Sequence, residues 1–343
     1  MDRESFASAI ADLGVSRLAV EATYNLLVTP LDQARNGVLA MIKNSTESNG
    51  ASLPVAYQPS YLRRFPIIDF YKQGGLFCSP LPALILSRIT SGLYYDIVAG
   101  PRALLNDSSG RFECYCKSLL SRTMPFFSVS SSQKYKVSGN SVETPDVIIE
   151  QDRLVVLVGE CKATKLTFAA QFADDPAKAA KKAYAEIAKG VFQIWRYFSH
   201  VRRGIVPEKT IAGQAHGMVL TLDTWLTTSR ELQEDVIRAA GMLADLDEHI
   251  TEEDRRAVAF CSIQDLEISL LDLDEASLLK SIEAASGDRF RGWYFPSIYK
   301  EIGGADAKVR DRKAYPFDIR EILPWWGNLE EMRTTIINKR RQA

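Results

Sequence analysis

Two apolar segments near the middle of the chain, joined by a short polar turn, constrain the fold more than any other feature. Residues 147–149 and 154–158 are rich in β-branched side chains, and residues 151–153 between them are polar. This pattern predicts two β-strands that form a hairpin. The second segment is apolar at every position until Gly159, as expected of a strand buried in the middle of a sheet.

Two charged residues, Glu160 and Lys162, follow at the end of this buried strand. Charge in such a place is costly unless it is paired or binds a metal. Strand alternation places both side chains on the same face as Val156 and Val158. In a hairpin, Asp146 is then expected opposite Val158 and diagonal to Glu160, close enough for two carboxylates to share one cation. Oxygen ligands of this kind suit Mg²⁺, which binds only one or two protein carboxylates.

Lys162 is expected to point into the same place, where it can act on a phosphate ester in two ways. Its amino group can orient or deprotonate an attacking water, or its ammonium can stabilise the negative charge that develops on the phosphoryl group. A purely structural interpretation also fits these residues. Asp146 is then a turn residue, and Glu160 and Lys162 form an ion pair at the sheet edge.

The composition is that of an ordinary globular protein and disfavours several functional classes. The 343 residues carry a formal net charge of −1, so any nucleic-acid-binding surface must be a local basic patch. The five cysteines contain no Cys-x-x-Cys pair and the three histidines are far apart, which argues against a zinc site. The sequence contains no glycine-rich phosphate loop and no Gly-x-Ser-x-Gly motif. We expect reduced thiols, a cytoplasmic location, and neither a secretion signal nor a membrane span.

The segments around the hairpin predict the order helix, strand, strand, strand, helix, strand. Residues 111–122 are amphipathic at helical spacing, and residues 126–137 alternate loosely as a strand does. After the hairpin, residues 177–202 predict a long helix that begins after an acidic pair and Pro176, and residues 213–222 predict a further strand. This order predicts an α/β fold with a mixed central sheet and helices on its faces.

Outside this core, the N-terminal region is predicted to be mainly helical and the C-terminal region to be an α/β extension. Residues 44–52 are rich in Asn and Ser and predict a linker loop. The three regions are expected at residues 1–105, 106–225 and 226–343. The predicted flanking elements are helices at residues 19–27, 31–42, 80–97 (broken at Gly92), 226–250 and 264–286 (interrupted near residues 272–274), and a strand at residues 257–262.

The sequence Pro145-Asp146, followed after the hairpin by Glu160-Cys161-Lys162, resembles the signature of the PD-(D/E)xK nuclease superfamily. The resemblance covers about a third of the chain, namely the predicted core. It implies a restriction-endonuclease-like core with the order α-β-β-β-α-β, and phosphodiester hydrolysis that depends on Mg²⁺ or Mn²⁺. It also implies that the main-chain carbonyl of Cys161 is a metal ligand.

Carried over residue by residue, the resemblance makes Asp146 and Glu160 metal ligands and Lys162 the catalytic lysine. Many members of the superfamily have an acidic residue on the first core helix, and Glu113 matches it as a further metal ligand. An ion pair between Glu113 and Lys117, one helical turn apart, explains this residue equally well.

Gln193 and Tyr197, one turn apart in the second core helix, resemble the Gln-xxx-Tyr motif of the RecB-type branch, which implies that both are active-site residues. The alternative is a helix surface with one half-buried tyrosine. Basic residues of the same helix are either phosphate contacts or a solvated face: Lys182, Lys189, Arg196, Arg202 and Arg203. Further candidate nucleic-acid contacts lie in the N-terminal region, whose alternative role is a helical cap, and in the C-terminal region, whose alternative is a packed tail. These candidates are Arg63, Arg64, Lys72, Trp325, Trp326, Lys339, Arg340 and Arg341.

The function expected from the resemblance is metal-dependent hydrolysis of nucleic acid by a DNA endonuclease of the defence, restriction or mobile-element type. DNA is the expected substrate and RNA the alternative, with a second copy or a defence-system protein as partner and no membrane. A different class of function is a catalytically inactive nuclease-fold module that binds nucleic acid or a protein partner. The intact set of Asp146, Glu160 and Lys162 favours the enzyme.

Overall fold

The chain, seen in a computed structural model, forms two compact units. The first comprises residues 1–100, 172–174 and 317–343, and the second comprises residues 101–171 and 175–316. The structure describes residues 15–50, 54, 58, 60–71, 76–167, 170, 176–227, 229–303, 312–323, 326–328 and 331.

Helices and short strands alternate in the described part of the first unit. These elements include α1 (Arg17–Leu27), β1 (Val28–Pro30), α2 (Leu31–Asn49), β2 (Ile67–Asp69), β3 (Phe77–Cys78), α3 (Ala83–Ile89) and α4 (Leu93–Ala99). β1 pairs in parallel with β2, and β3 pairs antiparallel with β2. The mainly helical character predicted for this region is therefore seen in the described residues.

The linker loop predicted at residues 44–52 is wrong over residues 44–49, because α2 continues to Asn49. Thr46 stays within the helix and its Oγ1 donates to the carbonyl oxygen of Ile42 at 2.9 Å. The helix ends where Gly50 adopts a left-handed φ of 69°, a conformation that glycine reaches without steric cost.

The helical segment predicted at residues 80–97 is present as α3 and α4, with the predicted break at Gly92. A Cβ atom at Gly92 would lie 2.8 Å from the carbonyl oxygen of Arg88, so the tight turn requires glycine. Arg88 also joins the two helices, since its guanidinium forms two hydrogen bonds with the carboxylate of Asp96 at 2.6 and 3.0 Å.

The second unit contains the predicted core and continues well past it. Its helices are α5 (Arg102–Thr123), α6 (Pro176–Ala179), α7 (Lys181–Arg202), α8 (Arg230–Ala244), α9 (Ile263–Leu270), α10 (Glu275–Ser286) and α11 (Phe295–Gly303). Its strands are β4 (Ser128–Ser131), β5 (Lys134–Val137), β6 (Asn140–Glu143), β7 (Val147–Gln151), β8 (Leu154–Lys162), β9 (Thr210–Thr221) and β10 (Val258–Ser262).

A mixed five-stranded sheet organises this unit, in the order β10-β9-β8-β7-β4. β4, β7 and β8 are antiparallel neighbours, whereas β8, β9 and β10 run in parallel. The predicted α/β class with a mixed sheet is thus confirmed. Because β10 pairs with β9, the segment after residue 225 belongs to the same sheet and the same compact unit.

The parallel strands end in one row at their carboxyl ends. Lys162 pairs with Thr221, and Thr221 pairs with Ser262, and each is the last residue of its strand. The chain therefore leaves all three strands at the same edge, through loops after β8 and β9 and directly into α9 after β10.

The single strand predicted at residues 126–137 is wrong, since two separate strands occupy it. β4 joins the central sheet, whereas β5 pairs with β6 in a two-stranded ribbon of its own. Ser138 and Gly139 turn this ribbon with φ values of 49° and 85°. The ribbon packs on α7 through Tyr135, whose hydroxyl is 2.7 Å from Nδ1 of His200.

The predicted β7–β8 hairpin is confirmed, but its register differs from the expected one. Asp152 and Arg153 form the two-residue turn with positive φ values of 52° and 67°, as in type I′ hairpins. A β-bulge then shifts the register, so that Val147 pairs with Gly159. Asp146 is consequently level with Glu160, and not with Val158.

Helices cover both faces of the central strand β8. The side chain of Cys161 contacts Cys116 of α5, whereas Lys162 on the opposite face contacts Gln193 of α7. The five cysteines form no disulfide. The apolar core between α7 and the sheet includes Val155, Val158, Ile187, Val191, Ile194, Phe198 and Val219. In the described residues, no helix is long and apolar enough to cross a membrane.

Candidate active site

The β-bulge brings the carboxyl groups of Asp146 and Glu160 together at the end of the hairpin. Asp146 lies just before β7, and its Oδ2 accepts a hydrogen bond from the main-chain N–H of Cys161 at 2.8 Å. The two carboxyl groups are close enough for each to act on the pKa of the other. Glu160 is only 2% exposed. Two acidic side chains are therefore held side by side at a buried position.

Lys162 joins this acidic pair to helix α7. Its Nζ donates one hydrogen bond to Oε2 of Glu160 at 2.8 Å and a second to Oε1 of Gln193 at 3.1 Å. The lysine side chain is 15% exposed, so little solvent competes with these contacts. Asp146, Glu160, Lys162 and Gln193, which the sequence placed in one site, therefore form one connected cluster.

The charges in this cluster do not balance. Burial raises the pKa of Glu160 to about 8. The ion pair with Lys162 lowers the pKa and offsets only part of this effect, while the negative charge of Asp146 raises the pKa further. Burial also raises the pKa of Asp146, although the N–H of Cys161 acts in the other direction. Burial lowers the pKa of Lys162, but the negative charges of Glu160 and Asp146 outweigh it and raise the pKa overall. Lys162 is thus protonated near neutral pH and lies beside several acidic groups.

Glu113 of α5 lies at the border of the same cluster. Burial raises the pKa of Glu113, and the charge of Asp146 raises it further, while Lys162 lowers it. The alternative ion pair with Lys117 is not the contact that forms, since Nζ of Lys117 is 3.4 Å from Oγ of Ser131 on β4. The structure therefore places Glu113 near the acidic pair.

Two acidic residues near the cluster were missed from the sequence. Glu143, the last residue of β6, acts electrostatically on both Asp146 and Glu113. Glu186 of α7 acts in the same way on Lys162. Glu186 lies seven residues, or about two helical turns, before Gln193, so the two share one face of α7. This spacing is the signal that could have found Glu186.

The hydroxyl group of Tyr197 makes no hydrogen bond to the residues of this cluster. The residue is 1% exposed, so it is more deeply buried than either sequence interpretation expected. Its hydroxyl has no hydrogen-bond partner within the described part of the chain. Burial and the neighbouring Glu150 and Tyr135 raise its pKa. The active-site role of Tyr197 therefore stays a prediction.

The basic residues of α7 fall into two groups. Arg202 is exposed, but its guanidinium is paired with the buried carboxylate of Asp254 through hydrogen bonds of 2.9 and 2.8 Å, and Arg196 lies over the ring of Phe192. The other three, Lys182, Lys189 and Arg203, are exposed as well. Of the other candidate contacts, Arg63 and Arg64 are exposed in the first unit and Trp326 is partly buried, whereas Lys72, Trp325, Lys339, Arg340 and Arg341 lie outside the described residues.

The donor set of the cluster fits a hard divalent cation. Within the described ranges, no three His, Cys, Asp or Glu side chains converge as a ready-made metal site. Mg²⁺ needs only one or two protein carboxylates because it keeps most of its waters, and Asp146 and Glu160 supply that number. A bound divalent cation would favour the ionised form of Glu160, whose pKa burial raises to about 8.

Comparisons with known proteins identify no relative of this chain. No protein-family model, no curated protein and no solved structure matches its sequence or its fold significantly.

Proposed function

We propose that this chain is a metal-dependent nuclease of the PD-(D/E)xK type, with DNA as its substrate. The observation that carries the proposal is the position of the Lys162 ammonium, which bridges Glu160 and Gln193 beside Asp146. A carboxylate pair, a lysine two residues after the second acid, and a glutamine from the next helix meet in one place. A structural ion pair at a sheet edge requires none of the other groups.

The order of elements also supports a restriction-endonuclease-like core. α5, β4, β7, β8, α7 and β9 follow one another as the resemblance implies, with the ribbon of β5 and β6 as an addition. The antiparallel hairpin followed by the parallel strand β9 agrees with a mixed sheet. In this proposal α7 positions Lys162 through Gln193, and α5 supplies Glu113.

Asp146 and Glu160 would hold Mg²⁺ or Mn²⁺, together with the main-chain carbonyl of Cys161, and Glu113 would contribute from α5. When bound, the ion polarises a phosphoryl oxygen and activates water for attack. The protein holds Asp146 in place through the N–H of Cys161, so that its carboxylate is oriented before substrate arrives.

Lys162 acts as a fixed positive charge in this mechanism. Without metal, the negative charges of Glu160 and Asp146 raise its pKa and keep it protonated near neutral pH. The ammonium therefore stabilises the negative charge that develops on the phosphoryl group as the attacking oxygen bonds to phosphorus. Oε1 of Gln193 accepts a hydrogen bond from Nζ and so limits the directions in which Nζ can point.

The test is cleavage by the purified full chain of plasmid, linear duplex and single-stranded DNA and of RNA, with Mg²⁺, with Mn²⁺ or with chelator. We expect cleavage of DNA with metal, and a loss of at least about a hundredfold in Asp146→Asn and Lys162→Met. Asp152→Asn is the matched control, because it makes the same chemical change at the opposite end of the hairpin. Cleavage that persists in chelator or in either site variant would contradict the assignment.

A second candidate function is a nuclease-fold module that binds nucleic acid or a protein without cleaving. The observation in its favour is that the ion pair between Lys162 and Glu160 is complete within the chain, at 2.8 Å. Thermal unfolding separates a metal-binding site from a third possibility, a purely structural ion pair. The nuclease proposal expects Mn²⁺ to raise the melting temperature of the wild type and not of Asp146→Asn, whereas a purely structural ion pair expects no effect of metal on either protein.

A further inference from the structure

Gly190 of α7 lies directly against the side chain of Lys162. A Cβ atom built at Gly190 would be 2.7 Å from Cε of Lys162, closer than real Cβ contacts allow. The same atom would be 3.6 Å from Nζ of Lys162 and 3.6 Å from Cβ of Glu160, which are ordinary contacts. The space that glycine leaves open on the helix is therefore filled by the lysine chain.

The helix backbone itself does not require glycine at this position. Gly190 is within the regular part of α7 and is absent from the residues with positive φ. Glycine in the interior of a helix is destabilising relative to alanine, because it loses more backbone freedom on folding. The open space beside Lys162 is the feature of the structure that accounts for glycine here.

We infer that Gly190 is a positioning residue, which forms a slot on α7 that sets the Lys162 amino group between Glu160 and Gln193. The slot lets the lysine lie flat across the helix, so that Nζ reaches Gln193, three residues further along α7. The consequence for cleavage rests on the proposed nuclease function. The effect of Gly190 on the position of the lysine is independent of that function.

The variant Gly190→Ala isolates this role because the protein can accommodate it by moving the lysine alone. The clash involves the end of a flexible side chain, while the other neighbours are at normal distances. The variant should therefore fold with an unchanged or higher melting temperature. Gly241→Ala in α8 is the matched control, since it also replaces a helical glycine and its new Cβ would meet no atom within 4 Å.

Cleavage kinetics give the first readout. We expect Gly190→Ala to lower kcat by at least about tenfold, as displaced catalytic groups do, with little change in KM. In a Lys162→Met background the same substitution should cause no further loss, because the slot acts only through the lysine. An equal loss in both backgrounds, or full activity of Gly190→Ala, would overturn the inference.

Amine labelling followed by mass spectrometry gives a readout that needs no activity. In the wild type, the contacts of Nζ should protect Lys162 from an acylating reagent, and Gly190→Ala should increase its labelling rate several-fold. Lys209, which is paired with Glu150 at 2.6 Å, is the internal reference and should not change. Unchanged labelling of Lys162 would refute the positioning role. If the wild type cleaves no substrate, the nuclease proposal fails and the labelling result alone decides the role of Gly190.

Discussion

Asp146 stands level with Glu160 across the β7–β8 hairpin, one position further along β8 than a regular hairpin would place it. Gln151 pairs with Leu154 at the turn, and that register continued without interruption would set Asp146 opposite Gly159. Paired residues share a face of a sheet and successive residues alternate, so Asp146 and Glu160 would then face opposite sides. The extra residue of the bulge puts both carboxyl groups on the α7 side.

Glu160→Gln is expected to separate stability from function. Because burial disfavours the ionised carboxyl group, the neutral amide should raise the melting temperature in chelator near neutral pH. The same variant should show neither the rise in melting temperature caused by Mn²⁺ nor metal-dependent cleavage. Differential scanning fluorimetry and the cleavage assay measure these effects. A variant that is less stable than wild type in chelator would show that the carboxylate is structural.

Tyr197→Phe and Gln193→Ala are expected to differ in their effect on cleavage. The Tyr197 hydroxyl is buried without a partner in the described residues, so its removal should leave stability unchanged or raise it by up to about 1 kcal/mol. Cleavage should stay within about threefold of wild type, whereas loss of the Gln193 amide should lower kcat by at least about tenfold. Urea unfolding and steady-state kinetics test both variants. A large loss of kcat in Tyr197→Phe would instead support the active-site role that the sequence predicts for the tyrosine.

The ion pair between Arg202 and Asp254 is expected to set part of the acid stability. Burial acts to raise the pKa of Asp254, but the hydrogen bonds from Arg202 and Thr251 outweigh it and lower the pKa overall. A lowered pKa gives stability that is present above the unfolded pKa of about 3.9 and is lost as the pH falls through the folded value. Asp254→Asn should therefore lower the melting temperature at neutral pH and flatten its decline in acid.

The control for this pH dependence is Asp235→Asn on α8. Asp235 is exposed and pairs only with Arg238 on the same helix, three residues away. Such pairs contribute little to stability, so this variant should follow the wild-type acid profile. An Asp254→Asn profile that coincides with that of the wild type would disprove the role of the ion pair.

Lys189 is expected to contact the nucleic-acid backbone, unlike Arg202. Lys189 is exposed and precedes Gly190, which lies against Lys162. Lys189→Ala should weaken DNA binding and reduce the slope of log Kd against log salt by about one, without changing the melting temperature. Arg202→Ala should lower the melting temperature and leave the slope unchanged. Fluorescence anisotropy across a salt series distinguishes them, with the exposed Lys280 of α10 as the control substitution.

The residues of the cluster were accessible from the sequence because each leaves a local mark. Glu160 and Lys162 break an apolar run, and Gln193 sits at a defined place on an amphipathic helix. The bulge left no such mark, since Val155, Val156 and Leu157 are all apolar and any of them can face a core. The register that joins Asp146 to Glu160 is therefore a property of the paired strands and not of either segment.

Polar composition misled at residues 44–49, where a loop was expected and α2 continues. Asn, Ser and Thr are only mildly unfavourable in a helix, so an exposed helix tolerates them until a glycine stops it. The ribbon of β5 and β6 escaped notice for a related reason. Its two strands are four residues each and half-exposed, and they pair with each other outside the main sheet.

The shared edge at which Lys162, Thr221 and Ser262 end their strands has a consequence for how such a protein can diversify. The strands are fixed by pairing and burial, while the loops that leave that edge are free to change in length and composition. Insertions after β9 would reshape the approach to the carboxylates and leave their support untouched, whereas β10 runs directly into α9, whose first turn is capped by Ser262. Under the proposed nuclease function, engineering of substrate preference should accordingly begin with loop grafts after β9, where new recognition can be added without redesigning the scaffold.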